Sequence, residues 1–220
     1  MGKGGSWLLA ELSADEKQAA ARVLGRCTTV DLPVDVPHGC DDLPAATVFL
    51  VEDGVVLLSS GTRKRRLVVA VGSPGCVLVP PARDEDVTAV SDTRLTVVRR
   101  DEHEELLRVP GAARAVTSGL IAALSDREDS LANFARFPHV ERVRAKLLQL
   151  ACLHGKVSKA GVVIDIPLTH DLLAEMIGSA RETVTRALRE LARTGFVTRE
   201  NGVYRLNVGA GDLAALRRSA

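Results

Sequence analysis

The stretch from Leu168 to Leu191, LTHDLLAEMIGSARETVTRALREL, restricts what this chain can fold into more than any other part of it. Leu172, Leu173, Met176 and Ile177 recur at helical spacing, and Ala174 is small enough to let a second helix come close. Gly178 can take the left-handed turn that sends the chain away at a steep angle. Beyond it, Val184, Ala187, Leu188 and Leu191 recur at i, i+3, i+4 and i+7. Burying that stripe leaves Arg181, Glu182, Thr185, Arg186 and Arg189 on the opposite edge. Two short amphipathic helices joined by a tight turn are predicted. Thr169 is the expected N-cap of the first, and Ser179 with Glu182 forms an S-x-x-E capping box for the second.

The exposed edge has the chemistry of a helix laid in a major groove. Arginine can donate two hydrogen bonds to guanine O6 and N7, and glutamate can accept from cytosine N4, each contact carrying roughly 1–3 kcal/mol of discrimination. After the helix, GFVTRENGVYRLNV predicts two strands around Asn201-Gly202, a strong hairpin signal, with Arg199 and Arg205 flanking the turn. A two-stranded wing touching phosphate follows. A helix pair alone could be a structural hairpin; the glycine turn, cap, polar edge and wing together argue for DNA. Charge agrees: Pro138 to Ala220 carries +5, whereas the preceding residues carry −4, within an overall +1.

The chain has 220 residues, 46% of them hydrophobic, enough for one or two cores. No apolar run reaches membrane-spanning length, and the N-terminus meets charge too early for a secretory signal, so the expected location is cytoplasmic, with no membrane partner. Leu8 to Leu24 has helical periodicity. From Thr28 to Arg99 the texture changes to short Val-, Leu- and Thr-rich runs broken by VPHG, EDG, SSGT, GSPG and PPAR, the pattern of an antiparallel sandwich or barrel. The basic run Arg63 to Arg66 falls between two strands, as at a solvated hairpin tip. Helical texture returns at Asp101. Val116, Leu120, Ala123, Leu124, Leu131 and Phe134 form a stripe, interrupted by Arg127, suited to the chain's own sheet or to a twin helix in a homodimer. The helix-turn-helix favours the dimer, because paired half-sites multiply affinity. Phe137-Pro138 punctuates the chain and is the expected hinge.

With these features in place, the sequence resembles the cyclic AMP receptor protein and FNR (CRP/FNR) family. The R-E-T-V-x-R pattern of that family's recognition helix is intact in SARETVTRALRELARTGFV, and VEDGVVLL and VAVGSPGCVL match its strand–glycine–strand pattern. The resemblance implies an α+β architecture: a β-rich sensor domain over residues 1–109, a cyclic-nucleotide-binding-like jelly-roll β-sandwich; a dimerisation helix and hinge over 110–137; and a winged helix-turn-helix over 138–220. It also implies that Arg181, Glu182 and Arg186 read base edges, that Thr169, Ser179 and Thr183 bond phosphate, and that RNA polymerase is a partner. Thr185, Arg189 and Arg199 complete the expected DNA-binding set on a two-fold symmetric duplex site. Two recognition helices would enter grooves one helical turn, ~34 Å, apart.

The sequence departs from the family's nucleotide pocket. The family has a Gly-Glu pair for ribose and an Arg followed by a small residue for phosphate. Here Cys76 follows Gly75, and Asp84, Glu85 and Asp86 follow Arg83. Three carboxylates beside one guanidinium make a poor anion site, so cyclic AMP dependence is not expected, and no cofactor is predicted. Cys27, Cys40, Cys76 and Cys152 lack C-x-x-C spacing and are expected to be reduced, mostly buried thiols rather than cluster ligands. A haem- or thiol-based sensor would draw on His38 beside Cys40; the plainer alternative is a loop histidine and a buried cysteine. An enzyme is not expected: His38, His103, His139, His154 and His170 are scattered, and neither H-E-x-x-H nor G-x-S-x-G occurs. The remaining class is a winged helix that binds protein instead of DNA.

Overall fold

The computed structural model describes residues 7–209 except Glu11, Arg63, Lys64, Lys159, Asp165 and Asn201. These fall into two compact units, residues 1–61 with 70–127 and residues 62–69 with 128–220. The N-terminal helix α1 spans Ala14–Leu24, shorter than the predicted Leu8 start. The Ser13 hydroxyl accepts from the Glu16 amide, and the Glu16 carboxylate accepts from the Ser13 amide, so the helix begins at that capping box. Leu8 and Leu12 still pack into the core from the turn before it. Glu16 Oε1 also accepts from the Gly111 amide at 2.8 Å, tying α1 to a later helix.

Eight strands form two four-stranded sheets. Strands β1 (Thr28–Leu32), β8 (Thr93–Val98), β3 (Val48–Asp53) and β6 (Val77–Leu78) are hydrogen-bonded in that order, and β2 (Pro37–Gly39), β7 (Glu85–Ala89), β4 (Val56–Thr62) and β5 (Arg65–Gly72) in the other. Strand β3 has Val48, Phe49, Leu50 and Val51 buried in succession, because both faces of its sheet are covered. Val48 and Leu50 lie on one face, packed with Ala20, Val23 and Leu24 of α1, Leu106 of α2 (Arg100–Leu107), and Ala112 and Val116 of α3 (Pro110–Arg136). Phe49 and Val51 take the opposite face by alternation.

The long helix α3 meets the sheet closely. A Cβ on Gly119 would lie 2.5 Å from Val77 Cγ2, so only glycine fits. The apolar stripe on α3 therefore divides. Val116 is fully buried and Leu120 packs beside it, against the chain's own core, whereas Ile121 and Leu124 are each 58% exposed. The side chains of Leu131 and Phe134 lie outside the described set, as do Arg63, Lys64 and Asn201 of the two predicted hairpin tips. The cysteines are free, but the expectation of burial is corrected: Cys40 is exposed and Cys27, Cys76 and Cys152 are half-buried. Burial and the nearby Glu102 push the Cys27 thiol up to about 11, which keeps it protonated and unreactive. No described helix is long and apolar enough to cross a membrane.

The second unit holds α4 (His139–His154), β9 (Gly155–Ser158), β10 (Gly161–Ile164), α5 (His170–Ile177), α6 (Arg181–Arg193), β11 (Val197–Glu200) and β12 (Val203–Leu206). The break between α3 and α4 falls at Phe137-Pro138. Its sheet runs β11-β12-β10-β9. Strand β9 has no signature in the sequence: it is an edge strand with Val157 61% exposed, so burial leaves no pattern there. Val143, Leu147 and Leu150 of α4, Leu173 of α5, Val184 of α6 and Leu206 of β12 are all buried.

Candidate nucleic-acid interface

The turn between α5 and α6 is built as the sequence requires. Thr169 caps α5 by accepting from the Leu172 amide at 3.0 Å. Gly178 adopts φ 58°, ψ 50°, the left-handed conformation that ends α5 and redirects the chain. The predicted Ser179–Glu182 capping box is absent. Ala180 is the N-cap of α6, with no side-chain cap, and Ser179 stands one residue too early. The Ser179 hydroxyl instead lies 3.0 Å from His139 Nδ1. Arg142 Nη2 lies 2.9 Å from the same nitrogen, and Arg142 Nη1 donates to the Ile177 carbonyl at 3.1 Å. The start of α4 is thus fastened to the turn by side chains whose role no local motif announces.

Helix α6 buries Val184, Ala187, Leu188 and Leu191 and turns Arg181, Glu182, Arg186 and Arg189 to solvent. Thr183 and Thr185 are half-buried. Losing the capping role leaves Glu182 exposed on the first turn, able to act as an acceptor alone. Arg181 is held 3.2 Å from Asp171 of α5. On the wing, Arg199 lies over the Tyr204 ring at 4.9 Å, and Arg205 pairs with Glu200. Gly202 has φ +84°, in keeping with a tight hairpin turn between β11 and β12.

The hydroxyls differ in what they have left to give. Thr169 uses an oxygen lone pair in its cap, so its proton is available to a phosphate. Thr185 spends its proton on the Arg181 carbonyl at 2.9 Å and can only accept from elsewhere. What it meets is His170: Nδ1 stands 2.9 Å from Thr185 Oγ1, and Arg199 Nη1 stands 3.3 Å from Nε2 of the same ring. His170 therefore bridges α5, α6 and the wing. A lone histidine on a short helix has no signature in the sequence; only the fold brings residues 185 and 199 to it. Burial, then Arg199 and Arg181, hold its imidazole below the ordinary histidine range.

In the first unit, Arg83 is exposed and its three carboxylate neighbours are engaged elsewhere. Asp84 accepts from Ser60, Asp86 from Thr88, and Glu85 from the Ala82 amide. Glu85 also takes Arg127 of α3 in a two-pronged ion pair, Nη2 lying 3.1 Å from each carboxylate oxygen. The residue that broke the apolar stripe is thus a strut between helix and sheet.

A β-sandwich followed by a winged helix-turn-helix with a cationic, solvent-facing second helix defines a DNA-binding transcription regulator. Residues 141–219 match the model of the Crp-like helix-turn-helix domain. The chain is 23% identical over 180 residues to a CRP-like cAMP-activated global transcriptional regulator of Mycobacterium tuberculosis, covering 76% of this chain and 80% of that one. It is 35% identical over 118 residues to the transcriptional regulator SdrP of Thermus thermophilus, covering 54% and 55%. Its fold matches a CooA mutant from Carboxydothermus hydrogenoformans with a TM-score of 0.74, 18% identity and 89% of each chain covered. Residues 141–219 form a Crp-like helix-turn-helix domain, and over most of its length the chain is similar to CRP/FNR-type transcription regulators.

Proposed function

We propose that this regulator binds a two-fold symmetric duplex site as a homodimer in the cytoplasm, without cyclic AMP as its effector and without enzymatic activity. The observation that carries the DNA-reading part is the α6 edge: Arg181, Glu182, Arg186 and Arg189 are exposed on a helix whose other face is fully packed. Arg181, Glu182 and Arg186 read base edges. Thr169, Ser179, Thr183, Arg189 and Arg199 meet phosphate, Ser179 by rotating its hydroxyl away from His139, and Thr185 acts as an acceptor. Residues 1–109 serve as sensor or scaffold, 110–137 as dimerisation helix and hinge, and 138–220 as the DNA-binding domain. RNA polymerase contact follows from the same family reading.

Independence from cyclic AMP is supported by the Cys76 replacement and by the Arg127–Glu85 pair. The Arg127 guanidinium ties α3 to Glu85 of β7 through a charge-assisted pair supplied by the chain itself. Two measurements test the proposal. Selection from a randomised duplex library should enrich a site with two-fold symmetry; enrichment without symmetry overturns the dimeric reading. Calorimetry with cyclic AMP should show no binding at micromolar concentration; a clear isotherm there overturns the effector reading.

A further inference from the structure

We propose that His170 is a positioning residue of the DNA-reading surface: in its neutral Nδ1–H form it holds the recognition helix and the wing in one frame, and protonation releases the wing arginine from that frame. The inference rests on the DNA-reading role of α6 and the wing, and deepens it.

The hydrogen-bond directions assign the tautomer. Thr185 has one proton, and it goes to the Arg181 carbonyl. The contact between Thr185 Oγ1 and His170 Nδ1 must then be donated by the ring. Arginine has no acceptor, so the contact at Nε2 is donated by Arg199. A neutral imidazole with its proton on Nδ1 satisfies both ends, and the other tautomer satisfies neither. The relay runs from the Arg199 guanidinium to the ring, from the ring to Thr185, and from Thr185 to the α6 backbone at Arg181, itself expected to read a base. Preorganising two DNA-contacting elements against each other lowers the ordering cost on binding.

Protonation of Nε2 would set two donors against each other. It would also add a positive charge among Arg199 of β11 and Arg181 and Arg189 of α6, opposed by Asp171 of α5. The guanidinium then leaves the ring and keeps its stacking on Tyr204. Acid should therefore cost sequence discrimination, even though an extra cation favours any duplex. The ratio of affinities for selected and scrambled sequences isolates the effect, because the non-specific attraction cancels.

Nitrogen NMR of the full-length free protein should show His170 as the Nδ1–H tautomer, titrating below the ordinary histidine range and moving up when Arg199→Gln removes its partner. An Nε2–H tautomer, or a titration indifferent to Arg199→Gln, overturns the clasp whether or not DNA reading is correct. With a duplex selected by the protein and its scrambled counterpart, the affinity ratio should fall by roughly three- to tenfold between about pH 7.5 and 5.5, the scale of one lost polar contact. His170→Gln, which keeps an acceptor toward Arg199 but cannot titrate, should hold the ratio level over that range. His170→Asn, which reaches Thr185 alone, should give a low ratio at both ends. A pH profile unchanged by His170→Gln overturns the proposal. No preference for the selected duplex at any pH would instead overturn the DNA-reading role beneath it.

Discussion

Arg181 occupies the first position of α6 and is restrained by Asp171 across the helix pair. The ion pair is exposed on both sides, so Asp171→Ala should change stability by less than about 1 kcal/mol. Arg181→Ala should remove discrimination of roughly 1–3 kcal/mol at one base position per half-site. A binding profile measured base by base checks this; equal weakening on every sequence would assign Arg181 to phosphate. Gly178 lies at the same scale with the opposite kind of role. Its positive φ is a backbone demand, and Gly178→Val should lower the thermal midpoint through strain of about 1–3 kcal/mol, with loss of DNA binding following from the displaced α6. Ser179 shows what the residue scale conceals: S-x-x-E satisfies a capping rule, yet the helix starts one residue later and the hydroxyl turns to His139.

Between elements, α3 is joined to the β-sandwich by one steric device, at β6 of one sheet, and one ionic device, at β7 of the other. Gly119 allows the approach to Val77, and Gly119→Ala should destabilise by about 1–3 kcal/mol, read from chemical denaturation, because the added carbon meets a buried methyl. Arg127→Ala leaves Glu85 with the Ala82 amide alone and should cost about 1–3 kcal/mol. If the strut also sets the DNA-binding form, Arg127→Ala should weaken binding to the selected duplex, and the reversed pair, Arg127→Glu with Glu85→Arg, should recover part of it. Helix α4 ends at His154, whose imidazole burial holds below the ordinary histidine range. The unfolded chain therefore takes up that proton first as pH falls through about 6.5, and stability declines below that point. His154→Leu should flatten the decline in denaturation midpoints measured between about pH 7 and 5.

For the whole molecule, the dimer is the expectation with most at stake. Ile121 and Leu124 are each 58% exposed on the same helix that buries Ala112 and Val116 completely. Two leucine-sized side chains left in water are an unmet burial of roughly 1.5–3 kcal/mol each. Ile121→Glu with Leu124→Glu should yield a monomer by sedimentation, with the fold kept and affinity for a two-fold site reduced to that of a half-site. A dimer that survives both changes would move the interface elsewhere. Affinity of the intact protein should fall steeply with salt, with a slope near −0.9 per phosphate contact on duplex DNA.

What the amino-acid order determined alone was everything governed by local periodicity and backbone geometry: the α5–Gly178–α6 turn, the four buried positions of α6, the Val197–Leu206 hairpin, and the change from β-rich to helical texture near Asp101. Those signals survive because neighbours in sequence decide them. Tertiary structure alone decided which turn of α3 met its own sheet, that Arg127 finds Glu85 forty-two residues away, that an edge strand forms at Gly155–Ser158 without an apolar pattern, and that His170 stands between Thr185 and Arg199. In each of these cases the partner is distant along the chain, and a side chain's hydrogen-bonding capacity is used up only by what the fold carries within about 3 Å of it.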